Sequence, residues 1–159
     1  MQLPNQPDGE FAAEETLRKT ILLVEDESFV REVTREVLRA AGFSVVAVRS
    51  AEEAVRVLLD IGGGVDLLLT DVVLPRETGP ALAARLRSKD PQMNVLYVTG
   101  YAEQMKMLES HRERFLAKPF SSEKLLAAVG QALSSGDTPG EPSGVASAEG
   151  CLHDLGRNA

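Results

Sequence analysis

Five polar residues end or directly follow short apolar runs, and their side chains could together form a site for a divalent cation. They are Glu25, Asp26, Asp71, Thr99 and Lys118. Three carboxylates gathered in one place repel each other by about 4 kcal/mol per pair at about 4 Å and an effective dielectric of roughly 20, so they need a cation or raised pKa values. A cluster of oxygen ligands that is open to water suits Mg²⁺. The residue types therefore predict a Mg²⁺ site beside a hydroxyl and an ammonium group, provided that the fold gathers them.

The apolar runs that precede these residues predict five strands. The runs are apolar almost throughout, as expected of strands covered on both faces, and they begin near residues 20, 43, 66, 94 and 114. Between the runs, apolar residues recur at steps of three and four, as in Val30, Val33 and Val37. This spacing is typical of helices that bury one face.

Helix-start signals support the same division of the chain. Ser50 with Glu53 forms a capping-box pattern, Pro80 fits the first helical position after Gly79, and Ser121 can cap the last helix. Strands that alternate with single helices form a parallel sheet with right-handed crossovers and helices on both faces. The sequence therefore predicts a doubly wound α/β fold, whose functional crevice lies beyond the carboxyl ends of the strands.

Each of the five polar residues also has an ordinary structural explanation. An Asp at a strand end often caps the next helix, a Thr often ends a strand, and a lone Lys is usually solvated. Their joint placement at the ends of four predicted strands favours a functional site at one edge of the sheet.

Four blocks of the sequence, ILLVEDE, LLLTDVVLPRETG, YVTGY and FLAKPF, resemble the blocks that characterise response-regulator receiver domains. The resemblance covers about residues 19–134. It implies a flavodoxin-like (βα)5 fold with strand order 2-1-3-4-5 and a phosphorylation switch. The donor would be a sensor or hybrid histidine kinase or a phosphotransfer protein, and the output would be contact with an unidentified downstream protein. The VTGY and DVVLP segments are similar to receivers attached to hybrid kinases, which favours a relay role over a freestanding regulator.

The resemblance also implies a role for each carboxylate. Asp71 matches the phosphoacceptor, which attacks a phosphohistidine and becomes an acyl phosphate. Asp26 matches the direct Mg²⁺ ligand and Glu25 the ligand that acts through water. Asp71 and the backbone carbonyl of Val73 complete the protein ligands.

The remaining site residues follow from the same resemblance. Lys118 should pair with one phosphoryl oxygen and Thr99 should donate its hydroxyl to another. The Lys118–Pro119 bond is cis in similar proteins. Phe115 stands where the family has a switch aromatic, and without a hydroxyl it can report the switch only by packing. A plain core Phe is the alternative interpretation of Phe115.

Two departures from the family pattern bear on function, and a third, a longer loop at Gly62–Gly64 that is remote from the site, is assigned none. Only 12 residues separate Tyr101 from Arg114, which predicts a short fourth helix and an altered partner face. The positions that tune dephosphorylation carry Val73 and Tyr101, and neither is a good base or water-positioning amide. We therefore predict slow spontaneous loss of the phosphoryl group.

Composition limits the other function classes. The chain has 159 residues, 43% of them hydrophobic, and a net charge of -7. The acidity lies mostly at the ends, so the central segment is near neutral and nucleic-acid binding through a basic patch is disfavoured. No apolar run approaches the roughly 20 residues of a membrane span, and no leader is evident, which predicts a cytoplasmic protein without membrane insertion. We expect a flexible extension over 1–18, the receiver domain over 19–134 and a disordered tail over 135–159.

Two alternatives to the phosphoacceptor stay open. A small metal-dependent phosphatase with an aspartyl nucleophile would need a second Asp two residues later, where Val73 stands. An interaction module that is no longer phosphorylated would have little reason to keep all five site residues. His111 is predicted to be a surface residue, and Cys151 with His153 offers too few ligands for a structural metal site.

Overall fold

The computed structural model describes residues 18–134, which form five strands and five helices in strict alternation. The strands are β1 (Thr20–Val24), β2 (Ser44–Val48), β3 (Leu67–Asp71), β4 (Asn94–Thr99) and β5 (Phe115–Ala117). The helices are α1 (Ser28–Ala40), α2 (Ala51–Ile61), α3 (Gly79–Lys89), α4 (Ala102–Ser110) and α5 (Ser122–Ser134). The extension and the tail expected at the two ends lie, apart from Arg18, outside the described residues.

All neighbouring strands are parallel, and their order in the sheet is β2-β1-β3-β4-β5. The predicted doubly wound fold and strand order are therefore confirmed. The chain winds outward from β1 to β2 and then crosses back to β3, so the winding reverses between β1 and β3. That reversal opens a crevice at the carboxyl ends of these two strands.

The sheet is covered on both faces because successive strand residues point to opposite sides. In β1, Leu22 and Val24 pack into one core layer, whereas Ile21 and Leu23 pack into the other. The first layer is closed by α2, α3 and α4, and the second by α1 and α5. Since each fully buried aliphatic side chain contributes about 1.5–3 kcal/mol, these two layers fix the strand ends that carry the polar residues.

Serine caps begin two of the helices as the sequence predicts. Ser50 Oγ accepts a hydrogen bond from the backbone N–H of Glu53 at 3.2 Å, and Ser121 Oγ accepts one from Lys124 at 3.2 Å. The carboxylate of Glu53 accepts from the backbone N–H of Arg49 at 3.0 Å, one residue before the position that a standard capping box uses. The two serine bonds satisfy N–H groups that the first turn of a helix leaves unpaired.

Helix α3 begins one residue earlier than predicted. Thr78 is its N-cap, and the Thr78 hydroxyl accepts from the backbone N–H of Ala81 at 3.2 Å. Pro80 is therefore the second helical residue and not the first, because Gly79 already has helical geometry. A proline is tolerated at either place, since the first N–H groups of a helix have no partner within it.

Helix α4 is short, as the spacing between Tyr101 and Arg114 predicts. Its nine residues make about two and a half turns. Leu108 is its buried residue, and its N-cap Tyr101 makes no side-chain capping bond. Little apolar burial therefore holds this helix to the sheet.

No helix within residues 18–134 combines the length and the apolar character that a bilayer crossing requires.

Candidate functional site

Three carboxylates meet at the crevice between β1 and β3. Glu25 and Asp26 directly follow β1, and Asp71 ends β3. An oxygen of each lies within 4.8 Å of the others, an arrangement that could hold a metal ion. Glu25 and Asp71 are 5% and 7% exposed, whereas Asp26 is open to solvent. The structure thus brings together the carboxylates that the sequence placed at strand ends.

Lys118 reaches this cluster from the end of β5. Its Nζ lies 3.0 Å from Asp71 Oδ1 and 3.3 Å from Glu25 Oε2. The backbone N–H of Lys118 donates to the carbonyl of Thr99 at 2.8 Å, which ties the ends of β4 and β5 together. The Lys118–Pro119 peptide bond is cis. One ammonium group therefore faces two of the three acidic side chains.

The cluster has three carboxyl groups and one ammonium group, that of Lys118, and the pKa of Glu25 is raised. Burial, followed by the hydrogen bond and negative charge of Asp71, raises the pKa of Glu25 to about 7, although the Lys118 charge opposes this. Burial lowers the pKa of Lys118, but the hydrogen bonds and charges of Asp71 and Glu25 outweigh it and raise that pKa above its ordinary value. Lys118 is therefore an ammonium at neutral pH, and a proton or a further cation could balance the excess of carboxylate groups.

Arg31 on α1 supports the turn that carries two of the carboxylates. Its Nη1 donates to the backbone carbonyl of Glu25 at 2.9 Å and to that of Asp26 at 3.4 Å. The backbone N–H of Glu27 also donates to Glu25 Oε1 at 3.1 Å. Our sequence reasoning missed Arg31. The signal available was a basic residue in the first turn of α1, beside a strand end that bears two acids.

Gly79 shapes the loop between Asp71 and α3. The backbone N–H of Gly79 donates to the carbonyl of Val72 at 2.7 Å, and Val73 pairs with Thr78 in an isolated bridge. A Cβ atom at position 79 would overlap the carbonyl group of Asp71. Only glycine therefore fits here, and this role was also missed from the sequence, where Gly79 served only to place Pro80.

Thr99 is buried at the end of β4, and the single hydrogen of its hydroxyl is already engaged. Its Oγ1 accepts from the backbone N–H of Tyr101 at 3.2 Å and donates to Gln104 Oε1 at 2.5 Å. Gln104 lies in the first turn of α4. No residue pattern indicates this partner, because the contact depends on how α4 meets the strand end.

The remaining predicted residues surround this centre. Val73 and Tyr101 have exposed side chains, at 56% and 66%. Phe115 is half-buried, pairs with Tyr97 across β4 and β5, and packs against the core layer under α2, α3 and α4. Phe115 thus connects β5 with the layer that contains α4.

Comparison with known sequences finds one family. Residues 21–130 match the family model for the response regulator receiver domain. The chain is 36% identical over 121 residues to the sensor kinase CckA of Brucella abortus (strain 2308), a match that covers 74% of this chain and 13% of that protein. It is 32% identical over 117 residues to a cyclic di-GMP phosphodiesterase of Thermotoga maritima, covering 72% of this chain and 31% of that protein. Across four such curated relatives, the chain spans 13% to 55% of their length.

Solved structures agree with the sequence comparison. A response regulator receiver protein from Sinorhizobium medicae WSM419 is 31% identical with a TM-score of 0.68, over 77% of this chain and 99% of that chain. The receiver domain of the hybrid histidine kinase CckA is 34% identical with a TM-score of 0.62, over 72% of this chain and 98% of that chain.

Proposed function

Because this chain belongs to the response regulator receiver domain family, we propose that it is a Mg²⁺-dependent phosphoacceptor that receives a phosphoryl group on Asp71. The observation that carries the proposal is the meeting of three carboxylate groups with one ammonium group at the crevice. Asp71 is the carboxylate that ends a central strand and contacts Lys118 most closely. Its position suits a nucleophile that lies between the proposed Mg²⁺ ion and the ammonium group of Lys118.

The donor set fits Mg²⁺. All the candidate ligand atoms are oxygens, and the solvent-exposed Asp26 leaves room for water and substrate, as this ion requires. Asp26, Asp71 and the backbone carbonyl of Val73 would hold it, with Glu25 acting through water. When bound, the ion neutralises the carboxylates and the oxygens of the incoming phosphoryl group.

The reaction is an in-line transfer between two proteins. A carboxylate oxygen of Asp71 attacks the phosphorus of a phosphohistidine, the O–P bond forms as the P–N bond breaks, and the imidazole leaves with its electron pair and is protonated. Lys118 keeps its charge at neutral pH. Its ammonium group, which pairs with the Asp71 carboxylate in the resting chain, can therefore pair with a phosphoryl oxygen after the transfer. The Thr99 hydroxyl donates to a second phosphoryl oxygen.

The proposed donor is a sensor or hybrid histidine kinase or a phosphotransfer protein. Similarity to the receiver of CckA, whose solved structure is described as part of a hybrid histidine kinase, supports a relay role beside such a kinase. Residues 18–134 form a receiver fold, and the proposed output is contact between this fold and a downstream protein in the cytoplasm. The near-neutral central segment gives no support to nucleic-acid binding.

The structure offers less to a phosphatase. An enzyme that turns over an aspartyl phosphate needs an acid–base group beside the nucleophile. The position two residues after Asp71 carries the apolar side chain of Val73, which faces solvent. The site therefore suits acceptance and slow loss of one phosphoryl group better than repeated hydrolysis of phosphate substrates.

Beryllofluoride, which mimics a phosphoryl group on a carboxylate, tests the proposal. With Mg²⁺ present, we expect it to shift the backbone amide resonances of residues around Asp71, Thr99 and Lys118 in the full chain. Asp71→Ala should abolish these shifts, whereas Asp60→Asn, at an exposed position on α2, should leave them unchanged. Equal shifts in Asp71→Ala, or none in the unaltered chain, would overturn the proposal.

A further inference from the structure

The hydroxyl of Thr99 is engaged away from the carboxylate cluster. It donates its hydrogen to Gln104 Oε1 at 2.5 Å and accepts the backbone N–H of Tyr101 at 3.2 Å. Thr99 is only 4% exposed, so water does not compete for the group. A hydroxyl carries one hydrogen and can donate one strong hydrogen bond. The hydrogen that Gln104 holds is therefore the one that a phosphoryl oxygen on Asp71 needs.

We propose that Gln104 is a positioning residue that holds the Thr99 hydroxyl in a resting state and must release it before Thr99 can bind the phosphoryl group. This inference rests on the proposed phosphoacceptor function. It adds that the Gln104 oxygen competes with a phosphoryl oxygen for the hydroxyl of Thr99. In the resting chain the Gln104 acceptor satisfies the hydroxyl. After phosphorylation the phosphoryl oxygen, which carries more negative charge than an amide oxygen, forms the stronger bond with it.

The competition also links the site to α4. Gln104 lies in the first turn of this helix, where Tyr101 provides no side-chain cap and Leu108 is the buried residue. The bond to Thr99 is therefore an important tie between the start of α4 and the sheet. Loss of this bond should loosen the first turn of α4. A partner protein that binds α4 with Gln104 released should strengthen phosphoryl binding by the same factor by which phosphorylation strengthens binding of that partner, because coupling between two sites is reciprocal.

Two substitutions distinguish the effect of the Gln104 oxygen acceptor from the effect of the size of the side chain. Gln104→Met keeps a similar length but has no oxygen acceptor, whereas Gln104→Glu keeps the acceptor. Lys106→Met introduces the same residue at an exposed position on the same helix and is the matched control. A hydrogen bond of ordinary net strength corresponds to a change of about two- to tenfold in an equilibrium constant.

The measurement is a beryllofluoride titration of the full chain at saturating Mg²⁺, followed by amide resonances near Asp71. We expect Gln104→Met to lower the midpoint concentration about two- to tenfold, with Gln104→Glu unchanged or higher and Lys106→Met unchanged. In a Thr99→Val background, which has no hydroxyl to release, Gln104→Met should have no effect. A general structural role of Gln104 would shift the midpoint in both backgrounds.

The unaltered chain provides a second test that does not depend on a variant folding. Beryllofluoride should shift the side-chain amide resonances of Gln104 and speed hydrogen exchange of the first amides of α4. An unchanged Gln104 signal, or an equal midpoint for Gln104→Met and the unaltered chain, would overturn the inference while the phosphoacceptor function stands. If the unaltered chain does not respond to beryllofluoride at all, the proposed function itself fails.

Discussion

Lys118 and Asp71 form an ion pair with Nζ 3.0 Å from Oδ1, although β4 separates their two strands in the sheet. The Lys118 side chain therefore crosses the end of β4 to reach the acceptor. Because the sheet is parallel, the strand ends lie along one edge, and only a long side chain can connect strands that are not neighbours. The pair places the cation where a phosphoryl group on Asp71 would carry its negative charge.

Replacing Lys118 should slow phosphorylation strongly. Lys118→Met removes a positioned charge that faces the transferred group, and loss of one such group costs about 100-fold or more in rate. The measurement is the initial rate of phosphorylation by a small phosphodonor with Mg²⁺. Lys124→Met, at an exposed position on α5, is the matched control, and a rate within about twofold of the unaltered chain for both variants would contradict the assigned role.

Mg²⁺ affinity should depend on pH through Glu25. Its pKa is raised to about 7, so the carboxyl is protonated below that pH and charged above it. The proton competes with the metal ion, and the apparent Mg²⁺ affinity should fall by up to about tenfold for each pH unit below 7 and level off above it. Titration of Mg²⁺ by amide resonances at several pH values measures this. Glu25→Gln, which cannot titrate, should flatten the profile, and an equally steep profile in that variant would place the proton elsewhere.

Gly79→Ala should destabilise the chain. The added Cβ would overlap the Asp71 carbonyl, and relief of the overlap requires a backbone shift that costs about 1–3 kcal/mol or more in the free energy of unfolding. Gly130→Ala on α5 is the matched control, because nothing lies within 4 Å of its added Cβ and alanine favours a helix by up to about 1 kcal/mol. Urea denaturation should therefore move the two midpoints in opposite directions. A urea midpoint of Gly79→Ala equal to that of the unaltered chain would show that the loop adapts without strain.

The phosphorylated chain should lose its phosphoryl group slowly. Val73 and Tyr101 are exposed beside the site, and neither side chain can act as a base toward an attacking water. A Val73→Asn, Tyr101→Glu double variant should lose the group at least about tenfold faster, since a positioned proton acceptor is worth about 100-fold or more. The decay is followed by intact mass after the donor is removed. Equal or faster loss from the natural chain would refute the prediction.

The sequence was sufficient for the fold and for the gathering of acidic residues. Strands that alternate with single helices predict a parallel sheet, and a parallel sheet places the strand ends that carry Glu25, Asp26 and Asp71 along one edge. The prediction that β1 and β3 are neighbours came from the resemblance to receiver domains. The same logic brought Lys118 and Thr99 to that edge, although it could not say which way the Thr99 hydroxyl points.

Other features of the site depend on contacts that no residue pattern records. Arg31 matters because its guanidinium reaches two backbone carbonyls, and Gln104 because α4 brings it to Thr99. Gly79 is required by a backbone overlap that appears only once the loop after Asp71 has its shape. The one-residue offset of Pro80 has a similar origin, since a proline fits either of the first two helical positions.

The central claim is that Asp71 accepts the phosphoryl group. Incubation of the full chain with a small phosphodonor, followed by intact mass and by mapping of the hydroxylamine-labile acyl phosphate, tests it most directly. We predict one added phosphoryl group that requires Mg²⁺, maps to Asp71 and is absent from Asp71→Asn, while Asp60→Asn is modified as fully as the unaltered chain. Modification at another residue, or equal modification of Asp71→Asn, would contradict the account.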